Sequence, residues 1–367
     1  MPWPNVQFAD QLVLNFCVTT HQEMKVSGQN LVLLLLASSL LTRTAGSTQA
    51  GLTAQDAAAI DELYHLWSVE ADSIWTGASD TTVPVLYIKT NNEYAIGFPE
   101  KIRGFVSVST AGEWHRSVQA RRRILATGLS ASFPVEGVAA VVIGSPELLK
   151  KSPEDWVLVA AHETFHVFQA AHGSYAKTST LNLSSSGDPS WQLTFPFPYT
   201  NADVMRLIHL QGYTLWLTAT SKDEGEAQYN LGTALEAAQV YRTFLNRLAQ
   251  PKDYLYSEVQ EWSEGVAAYT QYRLAEAAVQ NNYVPTAVFR TLPGFHGYTA
   301  SWKQTYQNWP YLVKHAGRAA RDRNAFYHLG MGKALALDKV YPSWKTQYFA
   351  TGLWLDDLLK AALQQKR

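Results

Sequence analysis

One helix constrains this chain more than any other stretch. From residue 156 to 172 the sequence runs Trp156-Val-Leu-Val-Ala-Ala-His162-Glu163-Thr164-Phe165-His166-Val-Phe-Gln169-Ala-Ala-His172, mostly apolar yet carrying histidines and a glutamate. Ser152 precedes it as an N-cap, Pro153 enters its first turn and Gly173 follows its end, so capping chemistry marks both limits. A helix this apolar is expected to be buried on most sides. Burying two imidazoles and a carboxylate together is costly unless something satisfies them.

A metal ion would do so. At about 100° per residue, His162 and His166 lie about 40° apart on the helix surface, with Glu163 about 60° beyond His166. The His-Glu-x-x-His spacing lets both imidazoles share one zinc ion per chain, with the carboxylate beside a water on that ion. The alternative is a buried polar cluster that holds no metal.

A catalytic zinc usually takes three protein ligands and a water. His172 completes a three-histidine spacing similar to the metzincin pattern. That pattern has glycine where this chain has Gln169, and with Gln169 the helix can continue. His172 would then lie about 280° around the axis from His162, and its ordinary role is a histidine at a helix C-terminus.

The other main candidate is Glu264, in Glu261-Trp262-Ser263-Glu264-Gly265-Val266-Ala267-Ala268-Tyr269. Here the sequence resembles the gluzincin branch of zinc peptidases, whose His-Glu-x-x-His helix is completed by a glutamate from a later helix, often within Trp-x-x-Glu-Gly-x-Ala. Trp262 stands two residues before Glu264 where that pattern has three, and the separation from the motif helix is long. Glu224-Gly-Glu-Ala-Gln-Tyr229 fits the same Glu-Gly-x-Ala-x-Tyr pattern, but its charged setting reads as a solvated helix start. Glu264 sits among Trp262, Val266, Ala267 and Tyr269, where an unpaired carboxylate would be costly. It is preferred, with Glu261, Glu224 and His172 as the other candidates.

The resemblance implies a zinc metallopeptidase acting on a peptide or protein. Zinc would bring the pKa of a water near neutrality. Glu163 would take that proton as general base and pass it to the leaving amine. Tyr327 and Tyr298 are the candidates to stabilise the developing oxyanion, Tyr327 being favoured because it opens a helix containing Gly330. Gln169, about 20° from His162, suits either a hydrogen bond to a ligand or an ordinary polar place at the pocket edge. The strand from Gly137 to Ile143 is the expected sheet edge for an extended peptide. Two other readings use the same ligands: a zinc-binding protein without turnover, and a zinc amidohydrolase acting on a non-peptide amide.

The N-terminal stretch reads as a leader. Residues 1 to 23 resemble no targeting signal, but Met24-Lys25, the apolar run Leu31 to Leu41 and small residues up to Gly46 and Ala50 have the order of a secretory signal peptide. About 11 apolar residues fall short of the roughly 20 a spanning helix needs. Met24 is therefore the expected start, with cleavage after Gly46 or Ala50, export, and no stable membrane anchor. Cys17 is the single cysteine; an exported chain would lack it, leaving histidine and carboxylate to bind metal. A formal net charge of -1 offers no basic field for nucleic acid. The 12 Trp and 19 Tyr suit a core and an aromatic-lined groove.

For the remainder, Thr53 and Asp56 form a capping box before a surface helix spanning Ala57 to Trp67. Strands are expected at 83–89, 94–98, 104–109, 123–127 and 137–144, giving about five in one sheet. Helices follow at 202–219, 223–249, 254–280, 310–318, 323–337 and 352–364, with a polar and aromatic loop from Gly173 to Thr200. The expected class is α+β and zincin-like. A small helix and β-sheet lobe (51–150) packs on a larger, mainly helical catalytic lobe (151–367), with the motif helix between them and the extension and leader (1–50) ahead.

Overall fold

The computed structural model describes residues 52–108, 114–173, 178, 180–183, 191–248, 251–350 and 354–364. The expected leader lies outside the described residues, and among these no helix is long and apolar enough to cross a membrane. The fold is mixed α+β: a six-stranded sheet in the N-terminal half and a mostly helical C-terminal part.

The first helix, α1 (Ala54–Glu70), starts at the expected capping box, with the Thr53 hydroxyl accepting from the Asp56 amide and the Asp56 carboxylate accepting from the Thr53 amide. It is no surface helix. Ile60, Leu63, Leu66 and Trp67 are buried, and so are Glu62 and Glu70. The segment around residues 283–298 packs over Glu62. Tyr283 and Tyr298 donate hydroxyls, and Thr286 its amide, to the Glu62 carboxylate.

The strands are β1 (Val85–Ile88), β2 (Asn92–Ile96), β3 (Val106–Ser107), β4 (Val118–Arg122), β5 (Ser130–Val135) and β6 (Val138–Gly144). Their order in the sheet is β3-β4-β2-β1-β6-β5. Only β1 and β6 pair in parallel; the other pairs are antiparallel. Alternation sends Val85, Tyr87, Val141 and Ile143 into the main core, and Leu86, Ile88, Ala140 and Val142 into a smaller cluster with Phe98 and Phe105 on the other face.

Two strand expectations need correction. The segment Arg123–Thr127 is not a strand, since β4 ends at Arg122. The strand from Gly137 to Ile143 is real but lies inside the sheet, and the edge beside it is β5, Ser130-Ala-Ser-Phe-Pro-Val135. A tight turn joins the two through Glu136 and Gly137, both with positive φ (49° and 85°), as in the mirror-image turns that suit twisted hairpins. Pro134 has no amide to donate, so β5 is suited to an edge.

After the sheet come α2 (Pro153–Ala171), α3 (Ala202–Thr220), α4 (Glu224–Leu248), α5 (Pro251–Gln260), α6 (Val266–Gln280), α7 (Asn324–Val340) and α8 (Leu355–Gln364). The long helix expected at 254–280 is interrupted by a π-helical turn, Glu261–Gly265, between α5 and α6. Helix α2 packs between β5 and β6 on one side and α6 on the other. Its Trp156 ring meets Tyr87 edge-on at 5.8 Å and donates its indole N–H to the Gly144 carbonyl over 2.7 Å. This aromatic contact sets the motif helix against the sheet.

A buried charge cluster ties the C-terminal helix to the π turn. The Lys333 ammonium, 2% exposed, contacts Asp356 at 2.6 Å, Glu258 at 3.3 Å and Glu261. One cation faces three carboxylates. Burial, opposed by Lys333, raises Glu258 to about 8 and Glu261 to about 7. Because these folded-state values lie above the ordinary 4.5, the stability they contribute is present at low pH and is lost as pH rises through about 7 to 8. Lys333→Met should lower unfolding free energy by about 3–5 kcal/mol. Glu258→Gln should flatten the fall in stability between about pH 5 and 9, as checked by denaturant titrations across that range.

Candidate metal centre

Helix α2 brings His162 and His166 to one face, and the π turn brings Glu264 to meet them. One oxygen of Glu264, Oε2, lies 3.5 Å from His162 Nε2 and 3.3 Å from His166 Nε2. The three ligating atoms lie within 4.8 Å of one another, and the Glu264 side chain is only 12% exposed. Bonds of about 2.0–2.1 Å to a tetrahedral ion separate neighbouring ligand atoms by about 3.3–3.4 Å. The nitrogen-to-oxygen distances match that edge, so this cluster could hold a metal ion.

Its charges hold one another against burial. Burial alone would lower the pKa of His166, but the Glu264 charge and hydrogen bond outweigh it and raise the imidazole to about 9. Burial likewise works against the Glu264 anion, and His166 and Arg323 hold its carboxyl well below the usual range. Glu163, also buried, follows His162 on α2 and its Oε1 accepts a hydrogen bond from the Ser130 hydroxyl over 3.1 Å. Ser130 opens the edge strand β5. The carboxylate is therefore oriented from the sheet.

The π turn explains how Glu264 is aimed. A wider turn breaks the regular pattern of helix hydrogen bonds and leaves carbonyls to be satisfied from outside. Tyr348 donates its hydroxyl to the Trp262 carbonyl over 2.6 Å. The Gln169 amide donates to the Tyr348 hydroxyl at 2.7 Å and reaches the Trp262 and Ser263 carbonyls at 3.4 Å. Its carbonyl oxygen meets His166 Nδ1 at 2.8 Å, which leaves Nε2 to face Glu264. Gln169 thus makes the anticipated hydrogen bond to a candidate ligand, His166.

The other anticipated residues separate clearly. His172 ends α2, bonded through Nδ1 to the Phe168 carbonyl and stacked on Phe349 at 4.1 Å. Glu224 is the exposed first residue of α4, and Glu261 belongs to the Lys333 cluster. The Tyr327 ring lies parallel to His162 at 6.1 Å, within 12°. Tyr298 is buried against Glu62, its hydroxyl committed there at 3.3 Å.

The chain matches no family model, no curated protein and no solved structure.

Sequence reasoning missed three groups around the cluster: Ser130, Tyr348 and Arg323. Arg323 reaches Glu264 Oε1 with Nη1 at 3.5 Å and donates from Nη2 to the Tyr327 hydroxyl over 2.8 Å. Its spacing of four from Tyr327 on α7 was a usable signal, since such residues are neighbours on a helix. The other two come from distant parts of the chain and carry no local pattern.

Two outcomes follow. Gln169→Ala should weaken divalent-metal binding by about 10–100-fold, measured by competition with a chelating dye. Because the ion must displace a proton from His166, apparent affinity should rise about tenfold per pH unit up to about pH 9 and level off above it.

Proposed function

We propose that this protein is a zinc-dependent hydrolase, in the first instance a gluzincin-like peptidase, with His162, His166 and Glu264 as ligands and Glu163 as general base. The observation that carries the reading is the arrangement of four groups. Three ligand atoms converge at metal-binding separations, while the neighbouring carboxylate of Glu163 is held from the sheet by Ser130. A catalytic zinc takes three protein ligands and a water, and among the described residues His162, His166 and Glu264 are the three that could hold a metal ion.

Bound zinc supplies a Lewis acid that acidifies water and polarises a carbonyl. Glu163 accepts the proton on a carboxylate oxygen as the water attacks, and returns it to the leaving nitrogen. Tyr327, against His162, offers a hydroxyl for the developing negative charge. A zincin-like layout would add a place for substrate. The edge β5 begins at Ser130, next to Glu163, so an extended peptide paired along it would bring a peptide bond towards the ligands. This edge replaces the one anticipated at residues 137–143. Export belongs to the same proposal and rests on the leader-like order of Met24-Lys25 and Leu31 to Leu41.

Zinc per chain and hydrolysis of a mixed peptide library test the reading together. Wild type should carry one zinc and cleave peptides, and Glu264→Ala should carry markedly less zinc. Glu163→Gln should retain the metal and lose activity by about 10²–10⁴-fold. A wild-type chain without zinc would refute the metal reading. Undiminished turnover in Glu163→Gln would refute the assigned base.

A further inference from the structure

The two oxygens of Glu264 have different partners. Oε2 faces both histidines, at 3.3 and 3.5 Å. Oε1 faces the Arg323 guanidinium, 3.5 Å from Nη1. The same guanidinium reaches the Gln260 side-chain oxygen at 3.4 Å, just before the π turn, and the Tyr327 hydroxyl at 2.8 Å. Arg323 is 24% exposed and stands immediately before α7, one turn from Tyr327. A planar guanidinium presents several donors in a fixed fork, so one side chain can hold these groups in a defined relation.

We infer that Arg323 is a positioning residue that restricts Glu264 to one ligating oxygen and sets Tyr327 beside His162. The inference rests on the metal-dependent reading above and deepens it. A carboxylate can bind a metal through one oxygen or both, and a second bound oxygen would take a position that substrate or water needs. A cation on Oε1 opposes that second contact, both by occupying the oxygen and by repelling the ion. It also draws charge from the ligand, which leaves a bound metal a stronger Lewis acid. The tie to Tyr327 places the hydroxyl proposed for the oxyanion on the same anchor, so ligand and phenol keep their spacing.

Cobalt(II) substitution reads this directly, because a four-coordinate cobalt site absorbs visible light far more strongly than a five- or six-coordinate one. Full-length wild type, Arg323→Met, Arg323→Gln and Arg323→Lys would be loaded with cobalt(II), with circular dichroism to confirm folding. Cobalt and zinc affinities would be measured by chelator competition. Wild type should show the intense spectrum. The methionine and glutamine variants should show a weaker one, with affinity changed by about tenfold or more, and Arg323→Lys, which keeps the charge, should recover most of the wild-type intensity. If Arg323→Met fails to fold, Arg323→Gln carries the comparison. Wild-type spectra and affinities in both neutral variants would overturn the role of Arg323 while leaving the metal site standing. A wild-type chain that binds neither ion would overturn the metal reading and this inference with it.

Discussion

The structure around the candidate centre depends on a backbone contact between two glycines. A β-carbon on Gly265 would come within 2.5 Å of Gly330 Cα, and one on Gly330 within 2.2 Å of the Glu261 carbonyl oxygen. Real β-carbons do not approach other atoms so closely, so no side chain fits at either position without moving a helix. The contact lets α7 lie directly on the π turn. Arg323 and Tyr327, at the start of α7, then reach the face on which Glu264 meets the histidines. Lys333, nearly two turns beyond Tyr327, reaches the opposite cluster. One close approach thus sets the positions of the Glu264 carboxylate, its guanidinium partner, a phenol and a buried ammonium.

Much of this was legible in the sequence, for identifiable reasons. The motif helix announces itself because its ends are capped and its apolar character contrasts with the polar triplet inside it. Glu264 was distinguishable from Glu224 because one sits among aromatic and small residues and the other among charges. Burial punishes an unpaired carboxylate only in the first setting. Gly265 and Gly330 were visible as motif elements, but their steric reason depends on two segments meeting. That is a property of the tertiary structure.

What the sequence concealed has a common cause. Strand β5 reads Ser-Ala-Ser-Phe-Pro-Val, with two serines and a proline where a strand usually shows branched or aromatic residues. Its edge position makes those residues acceptable, and the edge position follows from the sheet order. Helix α1 reads as a surface helix, yet its Glu62 and Glu70 are buried. Tyr283, Tyr298 and Thr286 surround Glu62, and Asn281 donates to Glu70. A carboxylate whose partners lie more than 200 positions away in the chain cannot be told from a solvated one by periodicity. The π turn was hidden likewise, since Glu261 to Gly265 has residues that an α-helix accommodates and its widened geometry is stabilised by Gln169 and Tyr348 from elsewhere.

The π turn also resolves an electrostatic difficulty. Glu261 and Glu264 are three residues apart, and in a regular α-helix such residues share a face, where two buried carboxylates would repel. Wider winding turns them to different surroundings. Glu261 points to Lys333, with Glu258 and Asp356 nearby, and Glu264 points to the histidines and Arg323. Each carboxylate thereby acquires its own cationic partner across a few residues of backbone. On the Lys333 side the cation is a side chain of the protein. On the histidine side the countercharge comes from Arg323 and the His166 proton, and that proton is the one an incoming metal ion would displace. The difference separates the two clusters: the first is already complete within the fold, and the second could hold a metal ion in place of that proton.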